Sequence, residues 1–297
     1  MRKEIAERIR ETVAEKVNGR VELVDLKKNN GKIFTAISIR TDDYFAPTIR
    51  IDDLIDKIES GALTYDEVAS HIIFISEGSL RHKYQFKLED ILTRENIEKN
   101  VIPCLVNAEK NEDMLKEHPH KNILDLAVIY KIVIEKSSVG MSSVTITDSM
   151  LELVGLTFEE LDAAAIRNTE DNYRTIGMME ILAEMYGLDD VSSEIAFDTV
   201  IQNEPMHVLT NDTGLFGASV LLHPKYLEEI ANRLDSDLYI IPSSVNEVIA
   251  VTEDFVDDPE EYNQFIKQVN IIDVSETDVL SDHMYKYVKA TGELTIV

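Results

Sequence analysis

The residues of this chain best suited to chemistry lie in Pro242–Glu247 (PSSVNE), a polar segment between two apolar runs. Ser243 or Ser244 could act as a nucleophile and Glu247 as a base, but a nucleophilic serine needs a positioned base and an oxyanion hole. The sequence contains neither a Gly-x-Ser-x-Gly nor a Ser-x-x-Lys motif. Serine and asparagine also satisfy backbone groups in turns. The segment is therefore open to a catalytic or a structural interpretation.

Three histidines of the second half, His207, His223 and His283, are the other candidates for chemistry. Together with Asp282 or Glu247 they could ligate zinc or iron, which accept imidazole and carboxylate ligands. Neither a His-Glu-x-x-His nor a His-x-x-x-His spacing occurs, however. Packing or capping roles account equally for separate histidines. The sequence predicts no metal and no cofactor.

The charge of the chain is divided unevenly between its halves. Residues 1–150 hold 26 acids and 22 bases, whereas residues 151–297 hold 30 acids and 7 bases. A surface built from the second half should repel nucleic acid and anionic lipid and attract a basic protein. Solubility or adaptation to salt are alternative reasons for the acidity. The charge indicates a possible basic protein partner and argues against direct nucleic-acid binding.

Composition points to a soluble protein with a substantial core. The chain has 297 residues, 44% of them hydrophobic, which is enough for one large domain or two ordinary ones. No apolar run approaches the ~18–20 residues that span a bilayer, and the charged N-terminal sequence lacks the apolar region of a signal peptide. A single cysteine, Cys104, excludes an intrachain disulfide. We predict a cytoplasmic location and no membrane association.

The first part of the chain, 1–118, is predicted to form a domain with an N-terminal helix, a β-hairpin and further helices. Residues 2–17 carry apolar residues at helical spacing, and the alternating runs 20–28 and 32–40 flank an Asn-Gly turn. Helices are predicted at 52–59 and 65–76. Because the segment around Pro119 resembles a linker, we place the domain boundary there.

The second part, 119–297, is predicted to be an acidic α+β domain with antiparallel sheets and helices mainly on one face. Strands are expected at 124–134 and 142–147, and helices at 148–154, 157–167 and 176–186. The order ββαββα then follows, with strands at 206–210 and 217–222, a helix at 224–234, a hairpin at 238–251 and a helix at 259–269. A terminal hairpin is predicted at 285–297. This order differs from the alternation typical of a parallel sheet.

Several phrases of the second half carry a resemblance to a known family. They are MHVLTN at 206–211, GASVLL at 217–222, YIIPSSVNEV at 239–248 and LSDHMY at 280–285. In order and spacing these phrases resemble an uncharacterised bacterial domain-of-unknown-function family, from about residue 120 to the end. The resemblance supports the order of elements and implies no activity or catalytic residue.

Two functions from different classes follow from these observations. The first is a non-catalytic binding protein whose acidic C-terminal surface engages a basic partner, in its extreme form as a nucleic-acid decoy. The second is an enzyme, a hydrolase or transferase, with a polar site between the C-terminal hairpins. Its site would be formed by Asn211, Ser243, Ser244, Glu247 and His283, because polar residues at strand ends are often presented by a rigid sheet.

Overall fold

A computed structural model describes residues 1–40, 46–81, 88–137, 140–181 and 204–297. The chain has an α+β fold with antiparallel sheets, as predicted, and divides into two compact units, Met1–Asp90 and Ile91–Val297. The predicted domain boundary beside Pro119 lies inside the second unit. No helix in the described parts of the chain is both long and apolar enough to cross a bilayer.

The first unit packs helices on a three-stranded sheet. Its elements are α1 (Arg2–Ala14), β1 (Arg20–Lys27), β2 (Ile33–Arg40), β3 (Thr48–Arg50), α2 (Asp52–Glu59), α3 (Tyr65–Arg81) and α4 (Leu88–Ile91), the last ending at the first residue of the second unit. The predicted hairpin is confirmed, because β1 pairs with β2 across a turn in which Asn30 and Gly31 have positive φ. Apolar residues at helical spacing on α1, among them Ile9 and Val13, are buried in its core.

The second unit contains two antiparallel sheets that share one core. Its elements are α5 (Arg94–Asn100), β4 (Val101–Asn107), α6 (Glu112–Leu115), β5 (Lys121–Ile123), β6 (Leu126–Ser137), β7 (Gly140–Thr145), α7 (Asp148–Val154), α8 (Phe158–Thr169), β8 (Tyr173–Gly177), β9 (Met206–Asn211), α9 (Pro224–Leu234), β10 (Leu238–Ser244), β11 (Glu247–Thr252), α10 (Pro259–Ile272), β12 (Tyr285–Val288) and β13 (Glu293–Ile296). In the smaller sheet β4 pairs with one edge of β6, and β5 and β7 pair with the other. The larger sheet has the order β13-β12-β10-β11-β9-β8.

The start of each major helix in the second unit follows from local sequence. Thr157 and Glu160 form a reciprocal capping box at the start of α8, as their spacing predicts. Proline occupies the first turn of α9 and of α10, where the missing N–H costs nothing. The Asp258 carboxylate caps α10 by accepting hydrogen bonds from the N–H groups of Glu260 and Glu261.

The strand predicted at 217–222 is wrong, because Gly217–Leu222 forms a 3₁₀ helix. The order of elements over 206–272 is therefore β9, 3₁₀ helix, α9, β10, β11, α10 instead of ββαββα, and the predicted terminal hairpin follows as β12 and β13. The cause is a close backbone approach at Gly217. A Cβ atom there would lie 2.4 Å from the Asn246 carbonyl oxygen and 2.4 Å from Thr210 Oγ1. The chain turns against the β10–β11 loop at this point and does not pair with β9 as a strand.

The helix predicted at 176–186 begins later than expected. Ile176 and Gly177 are the last residues of β8 and pair with β9. Helical backbone starts at Met178, where the buried Glu204 carboxylate accepts hydrogen bonds from the N–H groups of Met178 and Met179. A carboxylate at this end is favoured by the helix dipole. Residues 182–186 of the predicted helix lie outside the described residues.

Candidate functional site

The serines of the β10–β11 loop are engaged in hydrogen bonds within that loop. Ser243 Oγ donates to Glu247 Oε1 at 3.2 Å, and Ser244 Oγ accepts from the Asn246 N–H at 3.1 Å. The structure thus brings two predicted site residues, Ser243 and Glu247, into direct contact. Within the described chain neither hydroxyl contacts an imidazole, which is the usual activating base for a serine.

Asn211 lies at the end of β9, and its side chain shapes the loop that follows. Its Nδ2 donates to the Leu215 carbonyl at 2.7 Å, and its Oδ1 accepts from the Thr213 N–H at 3.0 Å. This loop is joined to the β10–β11 loop through Asn246, whose Oδ1 accepts from the Phe216 N–H at 3.0 Å. Asn211 and the serines therefore belong to neighbouring loops held together by Asn246.

His283 belongs to a different set of contacts, centred on Asp125. Its Nδ1 lies 3.2 Å from Asp125 Oδ2, while Ser281 Oγ donates to the same oxygen at 2.5 Å and Tyr285 OH donates to Oδ1 at 2.8 Å. Burial and the nearby Asp125 carboxylate raise the pKa of Tyr285, so its hydroxyl stays a donor. The carboxylate is thus fixed by two buried hydroxyls, Ser281 and Tyr285.

The Asp125 carboxylate orients the imidazole of His283, a pairing that also occurs at sites of general acid–base chemistry. The carboxylate accepts from Nδ1–H, and Nε2 of the half-exposed imidazole has no hydrogen bond to any described residue. Ser281 is fully buried and donates to Asp125, so it is not placed as a nucleophile against this imidazole.

Asp125 is positioned by a tight hairpin turn. It follows Leu124 in the two-residue connection between β5 and β6, where Leu124 has a left-handed φ of 56°. A non-glycine residue in this region stores backbone strain, which is often found beside functional groups. Sequence reasoning missed Asp125 because its partners lie 156 to 160 residues away.

The two remaining histidines of the second half, His207 and His223, are both buried, and each contacts a different partner. His207 Nε2 lies 2.9 Å from Arg233 Nη2, and burial together with that guanidinium lowers the pKa of His207 to about 4. His223 Nε2 lies 3.1 Å from Thr169 Oγ1, and burial lowers its pKa. Among the residues that the structure describes, no group of three or more His, Cys, Asp or Glu side chains could hold a metal ion.

The outward face of α10 carries large apolar side chains in solvent. Phe265 is 61% exposed, Ile271 83% and Ile272 76%, and Phe255 in the preceding 3₁₀ turn is 41% exposed. Exposed carboxylates surround the start of this helix: Asp254, Asp257, Asp258, Glu260 and Glu261. We call these four apolar and five acidic residues the α10 surface.

Comparison with known proteins places the chain in a family. The model of the Family of unknown function (DUF5688) matches residues 2–289, nearly the whole chain and parts of both units. The chain belongs to DUF5688. The comparisons found no curated protein and no solved structure that match it. Membership confirms the resemblance seen in the sequence and supplies no reaction.

Proposed function

We propose that this chain is a protein-binding protein whose second unit recognises a basic, amphipathic partner through the α10 surface. The observation that carries the proposal is the exposure of Phe265, Ile271 and Ile272 on a helix whose start carries a group of exposed carboxylates. Contiguous exposed apolar side chains with a polar rim are typical of protein interaction sites. The proposal keeps the acidic binding surface expected from the sequence and assigns it to particular residues.

Phe265, Ile271 and Ile272 form the apolar stripe of the α10 surface, on the solvent side of the helix. Phe265 and Ile272 are seven residues apart, two turns along the same side of the helix, and Ile271 is adjacent. The opposite side, with Ile266 buried, packs against Met284 and Tyr239 on the larger sheet. Each large apolar side chain gains about 1.5–3 kcal/mol when it is fully buried. A partner that covers the stripe gains this free energy.

The acidic part of the α10 surface determines the charge of that partner. Residues 252–262 contain six acids and no base. Of these, Glu253 pairs with Lys286, whereas the five acids of the α10 surface have no ion pair among the described residues. Uncompensated carboxylates steer a cationic partner and discriminate against anionic ones. A basic amphipathic helix satisfies both requirements, since its apolar face and its flanking cations match the stripe and its rim.

Two other functions expected from the sequence receive less support. A nucleic-acid decoy needs carboxylates alone and does not account for the isoleucines on the same helix. A hydrolase or transferase using Ser243, Ser244, Glu247, Asn211 and His283 requires these groups to act on one substrate, yet their contacts fall into two sets, with His283 on Asp125 and the others in the loops joined by Asn246.

A defined peptide tests the proposal. The probe is an amphipathic lysine–leucine helix of about 14 residues, the length of α10, titrated into the full chain by fluorescence anisotropy. Its controls are a scrambled peptide of the same composition and a glutamate–leucine helix. We expect the lysine–leucine helix to bind at least about tenfold more tightly than either control, because only it matches both stripe and charge.

Variants then separate the apolar and acidic contributions. Phe265→Ala and Ile272→Ala should each weaken binding about tenfold or more, whereas Phe74→Ala, which truncates an exposed phenylalanine of the first unit, should not. Glu260→Gln with Glu261→Gln should weaken binding at about 0.1 M salt and have less effect at about 1 M, where the screening length falls to ~3 Å. The pair Glu228→Gln and Glu229→Gln on α9 is the matched control.

Three results would overturn the proposal. The first is equal affinity for the helical and scrambled lysine peptides, which would leave only unspecific charge attraction. The second is binding that depends on salt but is unchanged by Phe265→Ala and Ile272→Ala, as a charge decoy requires. The third is an equal loss of affinity in the α9 control pair, which would spread the attraction over the whole unit.

A further inference from the structure

We infer that a small cleft in the second unit, away from the residues of the α10 surface, binds a small amino acid. The cleft has a volume of about 80 Å³ and lies among β4, β6, β7, α8, β8 and the loop that follows β9. The residues that matter for recognition are Lys136, Thr169, Tyr173, Asp212 and Ser219, which all line it. This inference does not depend on the proposed function.

The floor of the cleft offers hydrogen-bond acceptors. Ser219 Oγ donates to the Phe216 carbonyl at 2.6 Å, so it accepts from Tyr173 OH at 2.8 Å. Thr169 Oγ1 donates to the Ala165 carbonyl at 2.9 Å, so it accepts from His223 Nε2–H. The hydrogens of all three hydroxyls are therefore used within the protein.

What remains for a ligand at this floor is oxygen lone pairs. Burial raises the pKa of Tyr173 to about 12, so the phenol keeps its proton and its oxygen is a neutral acceptor. Thr169, Tyr173 and Ser219 are all buried, and acceptors in such a site favour a ligand that donates hydrogen bonds. An ammonium group, with three donors, satisfies this requirement.

The mouth of the cleft carries one charge of each sign. Lys136 and Asp212 line the cleft and are exposed. Neither side chain has a hydrogen bond or ion pair with any residue that the structure describes. The ammonium of Lys136 can pair with a carboxylate, and the carboxylate of Asp212 with an ammonium. A ligand that carries both groups, as an α-amino acid does, complements the mouth and the floor together.

The size and walls of the cleft limit the side chain of that ligand. A cleft of about 80 Å³ has room for a few water molecules and so suits only a small ligand. Pro103, Met141 and Phe216 provide apolar wall. The cleft therefore suits an amino acid with a small aliphatic side chain, such as alanine.

The experiment compares L-alanine with molecules that keep only one of its charges. L-Alanine, propionate and ethylamine are titrated into the full chain, up to about 10 mM, and binding is followed by two-dimensional NMR. We expect L-alanine to shift resonances of residues that line the cleft and to bind at least about tenfold more tightly than either single-charge probe, since each lost charged hydrogen bond is worth about that factor.

Variants at the mouth test the assignment without disturbing the core. Lys136→Met and Asp212→Asn should each weaken L-alanine binding about tenfold, because each substitution removes one ionic contact with the ligand. Both residues are exposed, so neither substitution disturbs the core. Lys99→Met, an exposed lysine of α5, is the matched control and should bind like the unaltered chain. Failure here leaves the peptide experiment on the α10 surface unaffected.

The proposal is overturned by any of three outcomes. The first is that L-alanine shifts no resonance of the cleft over the titrated range. The second is that propionate or ethylamine binds as tightly as L-alanine, since the site would then recognise a single charge. The third is that Lys136→Met and Asp212→Asn bind L-alanine as the Lys99→Met control does.

Discussion

Replacing Gly217 by alanine should destabilise the second unit more than any other glycine-to-alanine change in its described part. The added Cβ would lie 2.4 Å from both the Asn246 carbonyl oxygen and Thr210 Oγ1, and 2.8 Å from the Asn211 amide nitrogen. Two of these atoms are backbone and cannot rotate away. The loop after β9 must then separate from the β10–β11 loop, which breaks the Thr210 Oγ1 to Asn246 carbonyl hydrogen bond of 2.8 Å.

The magnitude follows from these contacts. Forcing a methyl group into a packed site costs about 1–3 kcal/mol, and the Thr210–Asn246 and Phe216–Asn246 hydrogen bonds contribute about 1 kcal/mol each. The sum is about 3–5 kcal/mol. For a unit of roughly 200 residues, each kcal/mol lowers the melting temperature by about 2–4 °C. We therefore expect a decrease on the order of 10 °C.

Differential scanning calorimetry measures this change and separates the transitions of two units, should they unfold independently. Gly155→Ala is the matched control in the second unit, because Gly155 has a φ of 64° and no atom within 4 Å of an added Cβ. Its cost is only the left-handed backbone, about 1 kcal/mol. If Gly217→Ala melts within about 2 °C of Gly155→Ala, the close approach at Gly217 does not exist as described.

Two further predictions concern stability. Burial lowers the pKa of His207 to about 4, below its ordinary value of 6.5. As the pH falls, the unfolded chain therefore takes up a proton at this histidine before the folded chain does. The contribution of neutral His207 to stability is full above pH 6.5 and is lost as the pH falls towards 4. Between about pH 7 and about pH 5, the unfolding free energy measured in urea should fall by about 2 kcal/mol more in the unaltered chain than in His207→Gln. Equal decreases in the two proteins would contradict this. Thr157→Ala should lower the unfolding free energy by about 1 kcal/mol through loss of the α8 cap, with Thr157→Ser close to the unaltered chain, as urea unfolding can check.

Elements that depend on local sequence were predictable here. The Asn-Gly hairpin of the first unit, the capping box at Thr157 and the proline starts of α9 and α10 involve residues close in the chain, so spacing alone identifies them. The 3₁₀ helix at Gly217–Leu222 was not predictable in this way. Its cause is Asn246, about 30 residues further on, and no local pattern reports that contact.

The candidate sites were predictable only in part, for the same physical reason. Ser243 and Glu247 are four residues apart across a hairpin, and their contact follows from the turn. Asp125 binds His283 from another sheet, and Tyr173 meets Ser219 across 46 residues, so both depend on tertiary packing. The acidity of the second half was visible in the composition, but the exposed Phe265 was not. Helical spacing does not tell which side of α10 meets the sheet.

The exposure of the apolar stripe on α10 is enforced by the opposite side of the helix. Asn263 accepts from the Met284 N–H at 2.7 Å and donates to the Val297 carbonyl at 2.8 Å, and Asn270 donates to the Ser281 carbonyl at 2.9 Å and to Asp282 at 2.8 Å. Both asparagines are buried, and they lie seven residues apart on one face.

Rolling α10 to bury Ile271 and Ile272 would break these four hydrogen bonds. Each buried polar group left unpaired costs about 1–3 kcal/mol, and each isoleucine gains about 1.5–3 kcal/mol when it is buried. Because four hydrogen bonds are broken for two isoleucines buried, the loss is at least as large as the gain. Rolling would also pull Ile266 out of its contact with the sheet. The helix therefore presents its isoleucines in a fixed orientation. A partner does not have to reorganise the helix before it binds, and buried apolar area contributes most to affinity when the binding surface is organised in advance.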